Sequence, residues 1–561
     1  MTARRPQRTG GEIVVEALAA HGVDAVFQLP GESFLPILDA LHVRSNTIRT
    51  VTARHEAAAA NMAEAYGKLT GRPGVCVVTR GPGASHASVG VHIAFQDSTP
   101  MILLVGQAER PMLGREAFQE IDVPAMFGWT AKWAAQVTDT ARLPEALSRA
   151  FHVAVSGRPG PVVLALPGDM LAEVTDVPDA PVRPAISAHP GAGGVAKLFE
   201  MLGAAHRPLM ILGGSGWTAD AREDLMRFAE ANDLPTCVTF RRQDRFDSAH
   251  ANFAGDIAYA LDPALAERVR EADLILAIGT RLGEVATGGY CLLEVPTPTQ
   301  TLIHVHPGAE ELGRVYAPDL AIAASVPDIA AVLANHAAVS PAPWSDWRRK
   351  LRSEYEATLA PAPCSGDLDM NEVMGCIATT LPEDAIVTID AGNFSQWVQR
   401  YYPYRRLHTQ LAPCCGAMGY AIPAANAAQI VHPERRAVAF VGDGGFMMTG
   451  NELATAVQHG LTPVICVVNN GMFGTIRMHQ ERAFPGRPMG TALVNPDFAA
   501  YARSFGAFGA TVAKTQDFAP AFAEALASGQ PAVLDLRLDP EALTMRTSLS
   551  ALTQKGLAAK N

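Results

Sequence analysis

The chain alternates short apolar runs with longer stretches rich in small residues. Nine of the apolar runs are four or five residues long, rich in Val, Ile and Leu, and mostly bounded by Gly, Pro or Asp. This pattern predicts buried strands at Val75–Thr79, Met101–Val105, Val162–Leu166, Leu209–Leu212, Leu274–Ile278, Ala385–Ile389, Ala437–Val441, Val464–Val468 and Ala532–Leu536. Predicted helices lie between them at Ala57–Leu69, Pro144–Ala154, Ala221–Ala231 and Asn451–His459. Apolar strands that alternate with helices predict parallel sheets covered on both faces, which is an α/β fold.

Two proline-rich segments divide the chain. They are Asp176–Gly194 and Val339–Cys364, and the second contains a short charged helix predicted at Trp347–Tyr355. We therefore expect three doubly wound parallel-sheet domains, at residues 1–180, 190–340 and 365–540, followed by a tail at residues 541–561. Each domain is long enough to bury its own core.

The composition excludes several classes of protein. With 45 Lys and Arg against 56 Asp and Glu the net charge is −11, so nucleic acid is not an expected partner. No apolar run approaches the roughly 18 residues of a membrane-spanning helix, and the basic start at Arg4, Arg5 and Arg8 has no apolar signal stretch behind it. The eight cysteines are scattered, and the pair Cys414–Cys415 fits neither a zinc site nor a disulfide framework. We expect a reduced, cytoplasmic protein without a membrane partner.

Polar residues follow two predicted strands of the third domain. Gly442-Asp443-Gly444 follows one strand, a helix comes next, and Asn469-Asn470 follows the next strand. Ligands bind at the carboxyl ends of parallel strands in open α/β sheets. Asp443 offers a carboxylate oxygen, Asn470 an amide oxygen and a nearby main-chain carbonyl a third ligand, which suits Mg²⁺ carrying a diphosphate. The glycines let backbone N–H groups approach the anion.

The spacing of these two motifs resembles that of thiamine-diphosphate (ThDP) enzymes. Twenty-four residues separate Gly444 from Asn469, and the family signature is Gly-Asp-Gly, some two dozen residues, then Asn-Asn. A dinucleotide site would need Gly-x-Gly-x-x-Gly at the start of a helix, which Gly213-Gly214-Ser215-Gly216 matches only in part. The resemblance implies ThDP and Mg²⁺ as cofactors, with Asp443, Asn470 and Met472 as metal ligands.

A glutamate near the start of the first domain extends the resemblance. In the family a glutamate binds the ring nitrogen of the cofactor's aminopyrimidine and thereby activates the cofactor. Here Arg54-His55-Glu56 leads into a helix of small residues, and Arg80-Gly81-Pro82-Gly83 follows the next predicted strand. Glu56 therefore matches the catalytic glutamate, and Pro30 and Gly83 match cofactor-binding residues.

Further segments resemble the parts of the family that hold the rest of the cofactor. In Cys415-Gly416-Ala417-Met418-Gly419, the resemblance implies that the Gly416 carbonyl accepts from the cofactor's amino group and that Met418 supports its bent shape. The other residues implied to bind the cofactor are Ala391, Gly392, Asn393, Phe394, Gly442, Gly444, Gly445, Phe473, Gly474 and Thr475. In the family the glutamate and the diphosphate site come from different subunits, so a homo-oligomer with active sites at the subunit interface is implied.

Within the family, the sequence is most similar to the acetohydroxyacid (acetolactate) synthases. Leu29-Pro30-Gly31 and Ala117-Phe118-Gln119-Glu120 carry this likeness, and Phe118 and Gln119 match residues that line the substrate pocket. His479 stands where the synthases have a Trp, Gly168 where they have a Lys, and Glu32 where they have a Gly. We therefore expect synthase-like chemistry with an altered pocket.

The sequence gives opposing indications about whether the middle domain binds FAD. The synthases bind a structural FAD through the middle domain, and Arg158 and Arg281 match their pattern. Val285 stands in place of an arginine that contacts the flavin there, which favours the absence of FAD.

The resemblance implies an enzyme that makes or breaks C–C bonds of small 2-oxo acids or 2-hydroxy ketones (acyloins). The residues expected to act in catalysis or to face the substrate are Glu56, Gln119, Phe118, His479, Gln480 and Gln28. Arg477 could pair with a substrate carboxylate, and Glu32 adds a further polar group. A 2-oxo acid decarboxylase ranks second, because its usual adjacent His pair is missing from the first domain; a CoA-thioester substrate ranks third. A flavin or nicotinamide oxidoreductase built on the middle domain is the alternative of a different class.

Overall fold

The computed structural model describes residues 7–340 and 342–559, so Arg4, Arg5 and Pro341 of the segments discussed above, and the last two residues of the tail, lie outside the described residues. Three six-stranded sheets organise this part of the chain, each with helices on both sides. Within the same ranges, no helix combines the length and the apolar character that crossing a membrane requires.

The first unit contains a parallel sheet. Its strands and the short flanking ladder are β1 (Arg8–Thr9), β2 (Ala25–Gln28), β3 (Arg49–Thr52), β4 (Gly74–Val78), β5 (Met101–Gln107), β6 (Trp133–Gln136), β7 (Pro161–Pro167) and β8 (Val174–Thr175). The helices are α1 (Gly10–Ala20), α2 (Leu35–Val43), α3 (Glu56–Thr70), α4 (Gly81–Asp97), α5 (Val123–Phe127), α6 (Leu143–Val155) and α7 (Gly168–Ala172). The sheet order is β3–β2–β4–β5–β7–β6, and β1 pairs with β8 in a separate antiparallel ladder. Val75 and Val77 face one apolar core while Cys76 and Val78 face another, which explains the continuous apolar pattern of β4.

The second unit has the sheet order β11–β10–β9–β12–β13–β14, again parallel, formed by β9 (Pro208–Leu212), β10 (Thr236–Thr239), β11 (Phe253–Ile257), β12 (Leu274–Ile278), β13 (Thr301–His306) and β14 (Leu320–Ala323). Its helices are α8 (Ala192–Gly203), α9 (Ala219–Ala231), α10 (Pro263–Glu271), α11 (Val326–Ala334) and α12 (Ser345–Ala357). Trp347, Leu351 and Tyr355 recur every four residues along α12 and pack in the core of this unit. The charged helix predicted in the second linker therefore belongs to the second unit.

The third unit has the sheet order β16–β15–β17–β18–β20–β19, formed by β15 (Ile386–Ile389), β16 (Gln410–Leu411), β17 (Ala437–Gly442), β18 (Val464–Asn469), β19 (Phe508–Val512) and β20 (Ala532–Arg537). Its helices are α13 (Met370–Thr380), α14 (Ser395–Tyr401), α15 (Ala421–Val431), α16 (Asp443–Thr449), α17 (Leu453–His459), α18 (Gly474–Ala483), α19 (Phe498–Ser504), α20 (Thr515–Ala527) and α21 (Leu549–Ala558). Helix α21 lies in the predicted tail and packs on α18 through Leu552 and Met478.

All nine predicted strands are confirmed within two residues, and Leu274–Ile278 keeps its bounds as β12. The helix predicted at Asn451–His459 is confirmed as α17 within two residues, whereas a further helix, α16, begins at Asp443 and was not predicted. Helix α16 could not be predicted from the pattern because Gly444 and Gly445 have low helix propensity.

A buried ionic cluster joins the three units. Lys68 lies 2.5 Å from Asp97 and 3.0 Å from Glu64, and the Tyr420 hydroxyl donates to Glu64 at 2.6 Å. Arg242 of the second unit lies 3.6 Å from Asp97. The first and third units also share an apolar core, in which α3 packs on α15. Their relative placement is therefore fixed by both apolar and ionic contacts.

Candidate active site

Three loops meet at one edge of the third sheet, which we call the diphosphate edge. Strands β15, β17 and β18 are neighbours and parallel, so their carboxyl ends lie side by side. Asp390 follows β15, Asp443 follows β17, and Asn470 follows β18. This is the edge at which an open parallel sheet binds ligands.

Asp390 ties the loops of the diphosphate edge together. Its carboxylate accepts hydrogen bonds from the backbone N–H groups of Gly419 (2.9 Å), Tyr420 (2.7 Å) and Ala421 (3.3 Å). A Cβ on Gly445 would lie 2.2 Å from Asp390 Oδ2, so the close approach requires glycine. Burial raises the pKa of Asp390 to about 6, although the three N–H donors act to lower it. The carboxylate thus fixes the loop before α15 relative to the start of α16.

Gly416 and Met418 lie in the loop that Asp390 holds. Gly416 has a φ of +72° and donates its N–H to the Pro413 carbonyl at 3.0 Å. Gly416 is exposed and Met418 is partly buried. The loop has a fixed turn geometry and an open surface, as a cofactor-binding segment requires.

Asp443 is the first residue of α16 and is almost fully buried. Gly444 N–H donates to its Oδ1 at 2.9 Å, and the Asn495 amide donates to its Oδ2 at 2.8 Å. Burial raises the pKa of Asp443. Among the described residues, no Lys, Arg or His forms an ion pair with it. A buried carboxylate that has only amide donors fits a bound cation, which would compensate its charge.

The two asparagines after β18 have different surroundings. Asn469 donates to Asp535 at 2.9 Å and accepts from Asn495 at 3.0 Å, so it supports Asp443 indirectly through Asn495. Asn470 is partly exposed, and its amide oxygen accepts from Met472 N–H at 3.3 Å. Asn470 is thus the one of the two whose position suits a ligand. Asn495 and Asp535 were not predicted from the sequence.

The segments 391–394 and 472–475 pack against each other at the same edge. Thr475 donates to Asn393 at 3.0 Å, which links the two segments. Phe473 lies against Gly444, where a Cβ would be 2.3 Å from its ring. Phe394 lies in the same way against Gly392 and Gly442. Ala391 and Gly474 are partly exposed within these segments. The structure therefore brings together the residues predicted to bind the diphosphate.

Glu56 lies on the first unit, at the start of α3. Its side chain is buried, with 7% of the residue exposed, and Nδ1 of His86 lies 2.9 Å from its Oε2. The other oxygen, Oε1, would be 3.5 Å from a Cβ on Gly83, so it faces the first turn of α4. His55 caps α3 by accepting from Ala57 N–H. His86 was not predicted from the sequence, because its link to Glu56 spans 30 residues between two helices.

Arg80 joins the predicted substrate-pocket residues. It forms an ion pair with Glu32, donates to the Phe118 carbonyl at 3.1 Å and lies 5.7 Å from the centre of the Phe118 ring. Gly81 N–H donates to the Gln119 carbonyl at 2.8 Å, and Gln119 has a φ of +60°. The Phe118 side chain is 72% exposed. In a single chain these residues therefore form an open surface rather than a closed pocket.

Gln28 ends β2, and Pro30 follows it two residues before Glu32. The Gln28 amide donates to Thr52 at 2.8 Å, and its buried Oε1 has no hydrogen-bond partner in the described part of the chain. Pro30 is exposed.

Helix α18 carries His479, which stands at the tryptophan position of the synthases, together with Arg477 and Gln480. His479 and Ile476 are exposed on one face of this helix. Gln480 donates to the Met489 carbonyl at 2.7 Å, and Arg477 pairs with buried Glu481 at 2.8 Å. Arg477 is thus engaged within its own helix, whereas His479 is placed to meet a ligand or another surface.

Helix α3, which begins at Glu56, contacts the diphosphate edge through Asn61, whose amide donates to the Gly419 carbonyl at 3.3 Å. Beside Glu56, Arg54 contacts the third unit through Glu452 and Gln458. No hydrogen bond or ion pair connects Glu56 with Asp443 among residues 7–340 and 342–559.

The two arginines that match the flavin pattern link the first and second units, Arg158 from the first unit and Arg281 from the second. Arg158 is buried, pairs with Glu311 at 2.9 Å and donates to Ser98 at 2.9 Å. Arg281 donates to the Gln96 carbonyl at 3.0 Å.

Three family models match the chain, one for each unit. They describe the N-terminal TPP binding domain of thiamine pyrophosphate enzymes at residues 8–126, their central domain at 195–333, and their C-terminal TPP binding domain at 390–536.

Three similar proteins match nearly the whole chain. The acetolactate synthase large subunit of Parasynechococcus marenigrum is 32% identical over 96% of this chain and 89% of that protein. The corresponding protein of Corynebacterium glutamicum is 31% identical over 96% of this chain and 88% of its own length. The acetolactate synthase isozyme 1 large subunit of Escherichia coli is 31% identical over 96% of both chains.

Proposed function

The chain belongs to the thiamine pyrophosphate enzyme family, and on that premise we propose that it is a ThDP-dependent carboligase acting on small 2-oxo acids or 2-hydroxy ketones. When bound, ThDP supplies the chemistry that makes or breaks a carbon–carbon bond next to a carbonyl. The observation that carries the proposal is the buried Asp443 carboxylate, which has amide donors only and lies beside Asn470 at the edge where a sheet binds ligands.

The diphosphate edge would hold the charged end of the cofactor. Asp443, Asn470 and the Met472 carbonyl would bind Mg²⁺, and the metal would bind the diphosphate oxygens. The N–H groups at the start of α16 would face the same anion.

Glu56 would act on the other end of the cofactor. Its buried carboxylate would bind the pyrimidine nitrogen and hold the proton that the cofactor needs for activation. Gly416 and Met418 would orient the ring, because Asp390 fixes their loop.

We infer that the two ends meet across a homodimer. Glu56 and Asp443 share no contact within the described residues, and apolar side chains are exposed next to both: Phe118 is 72% exposed, and Met447, Met448 and Ile476 are 50–54% exposed. Contiguous apolar patches mark surfaces that another chain covers, and we infer that these side chains belong to such a patch.

Mixing two inactive variants tests this arrangement. Glu56→Gln and Asp443→Ala each damage a different end of the site, so a dimer formed from one of each regains one intact site. Unfolding and refolding an equal mixture should restore about a quarter of the wild-type activity, because half of the dimers are mixed and each holds one good site. An inactive mixture that contains mixed dimers would show that each site is built from one chain.

Product analysis tests which reaction the protein catalyses. The holoenzyme would be incubated with a panel of 2-oxo acids and acyloins, and products would be identified by mass spectrometry. We expect Mg²⁺- and ThDP-dependent acetohydroxy acids or acyloins from pairs of 2-oxo acids. Aldehydes alone would indicate a decarboxylase, and turnover without ThDP would exclude the proposal.

A further inference from the structure

His86 holds one of the two oxygens of Glu56. Its Nδ1 lies 2.9 Å from Oε2, and His86 lies in the second turn of α4. A carboxylate can only accept a hydrogen bond, so Nδ1 carries the hydrogen and donates it. The Glu56 side chain is 10% exposed, whereas that of His86 is 52% exposed. The contact therefore links a buried carboxylate to a ring that reaches solvent.

The neighbouring His55 has a different role. Its Nδ1 accepts from Ala57 N–H at 3.1 Å, which places its ring hydrogen on Nε2. Its ring lies 4.6 Å from that of His86, and burial together with His86 lowers the pKa of His55. A metal bound by His55, Glu56 and His86 would have to displace both the helix cap and the bond between His86 and Glu56. The cluster is therefore better suited to hold Glu56 than to hold a metal.

The remaining oxygen of Glu56 faces the predicted cofactor surface, because Oε1 lies beside Gly83. We propose that His86 is a positioning residue that fixes Glu56 through Oε2 and so presents Oε1 to the pyrimidine nitrogen of the cofactor. This inference rests on the proposed function. It gives a role to a histidine that the sequence motifs did not include.

Three variants of the full-length protein test the role of His86. His86→Ala removes the donor. His86→Asn keeps an N–H group near the position of Nδ1, and His92→Asn changes an exposed histidine of the same helix as a control. Exchange of the C2 proton of bound ThDP would be followed by quenched-flow NMR at saturating ThDP and Mg²⁺, with no substrate present.

We expect His86→Ala to slow the exchange about 10- to 100-fold. This factor corresponds to the free energy of one hydrogen bond to a charged group. His86→Asn should exchange close to the wild-type rate, and His92→Asn should not differ from wild type. Wild-type exchange in His86→Ala would overturn the proposal, and so would equal slowing in His86→Ala and His86→Asn.

A second readout needs no cofactor. Histidine ¹⁵N NMR of the apoprotein, assigned with His86→Asn, should show His86 with its hydrogen on Nδ1, and Glu56→Ala should abolish that preference. A hydrogen on Nε2 in the wild type would overturn the proposal. If Glu56→Gln exchanges like wild type, or ThDP does not bind, the proposed function fails, whereas the NMR result still decides the contact between His86 and Glu56.

Discussion

Asp390→Asn should change how the stability of the protein depends on pH. The pKa of Asp390 is raised to about 6 by burial, whereas an unfolded aspartate titrates near about 3.9. The folded state therefore binds this proton more tightly than the unfolded state. Its contribution to stability is present below about pH 4 and is lost as the pH rises towards 6.

The size of the effect follows from the two pKa values. The pKa values of the folded and unfolded states differ by about 2. A pKa difference of one corresponds to about 1.4 kcal/mol, so the full effect on the free energy of unfolding is about 3 kcal/mol. About 2 kcal/mol of this should be lost between pH 4 and pH 7 in the wild type and not in Asp390→Asn. The variant also loses an acceptor, because its amide nitrogen faces a backbone N–H, which lowers stability by about 1–3 kcal/mol at every pH.

Urea unfolding from pH 4 to pH 8 measures both effects. Tryptophan fluorescence, to which Trp397 in the core of the third unit contributes, reports the transition. Asp517, an exposed aspartate of α20, provides the matched control as Asp517→Asn. The free energy of unfolding of Asp390→Asn should approach or exceed that of wild type as the pH rises. Parallel pH curves for wild type and Asp390→Asn would refute the reasoning.

Four further predictions follow from the site. Glu56→Gln should still bind ThDP but should exchange its C2 proton about 10²–10⁴-fold more slowly by NMR, since it cannot supply the proton; equal exchange would remove Glu56 from this role. Asp443→Ala should weaken Mg²⁺-dependent ThDP binding about 10- to 100-fold in a fluorescence titration, and unchanged affinity would contradict the metal assignment. Gly445→Ala should lower stability by about 1–3 kcal/mol in urea, because its Cβ would lie 2.2 Å from Asp390 Oδ2; a wild-type midpoint would show that the edge adapts. The purified protein should lack a flavin absorbance band, because Arg158 already pairs with Glu311 and donates to Ser98 instead of facing a flavin. A flavin released on denaturation would refute this.

The strands were predictable where the run is uniformly apolar, whereas buried strands that contain polar residues, such as β10, β11 and β13, were missed. The apolar runs of β4, β5, β12 and β18 need only composition and length to be recognised. Strand β3 was missed because its sequence Arg-Thr-Val-Thr has one buried position and lies at a sheet edge. Strand β16 was missed because it has two residues.

Residues of the candidate site could be proposed from the sequence where they lie in a motif with fixed spacing. Asp443 and Asn470 lie in such a motif, and Glu56 lies in a recognisable local context. The hydrogen-bond partners of Asp443 and Glu56 lie outside any such motif. Asn495 is 52 residues from Asp443, and His86 is 30 residues from Glu56, so only the packing of separate elements brings them together. The expectation that Arg477 faces a substrate could not anticipate Glu481, one helical turn away, as its partner.

The buried ionic cluster limits how this enzyme can be recombined with its relatives. Lys68, Glu64 and Asp97 come from the first unit, Arg242 from the second and Tyr420 from the third. A graft that brings a foreign second or third unit must also bring matching groups at these positions. Otherwise a charged side chain is left buried without its partner, which lowers the stability of the protein by about 3–5 kcal/mol. Chimeras designed to transfer specificity should therefore exchange pocket loops and leave whole units in place.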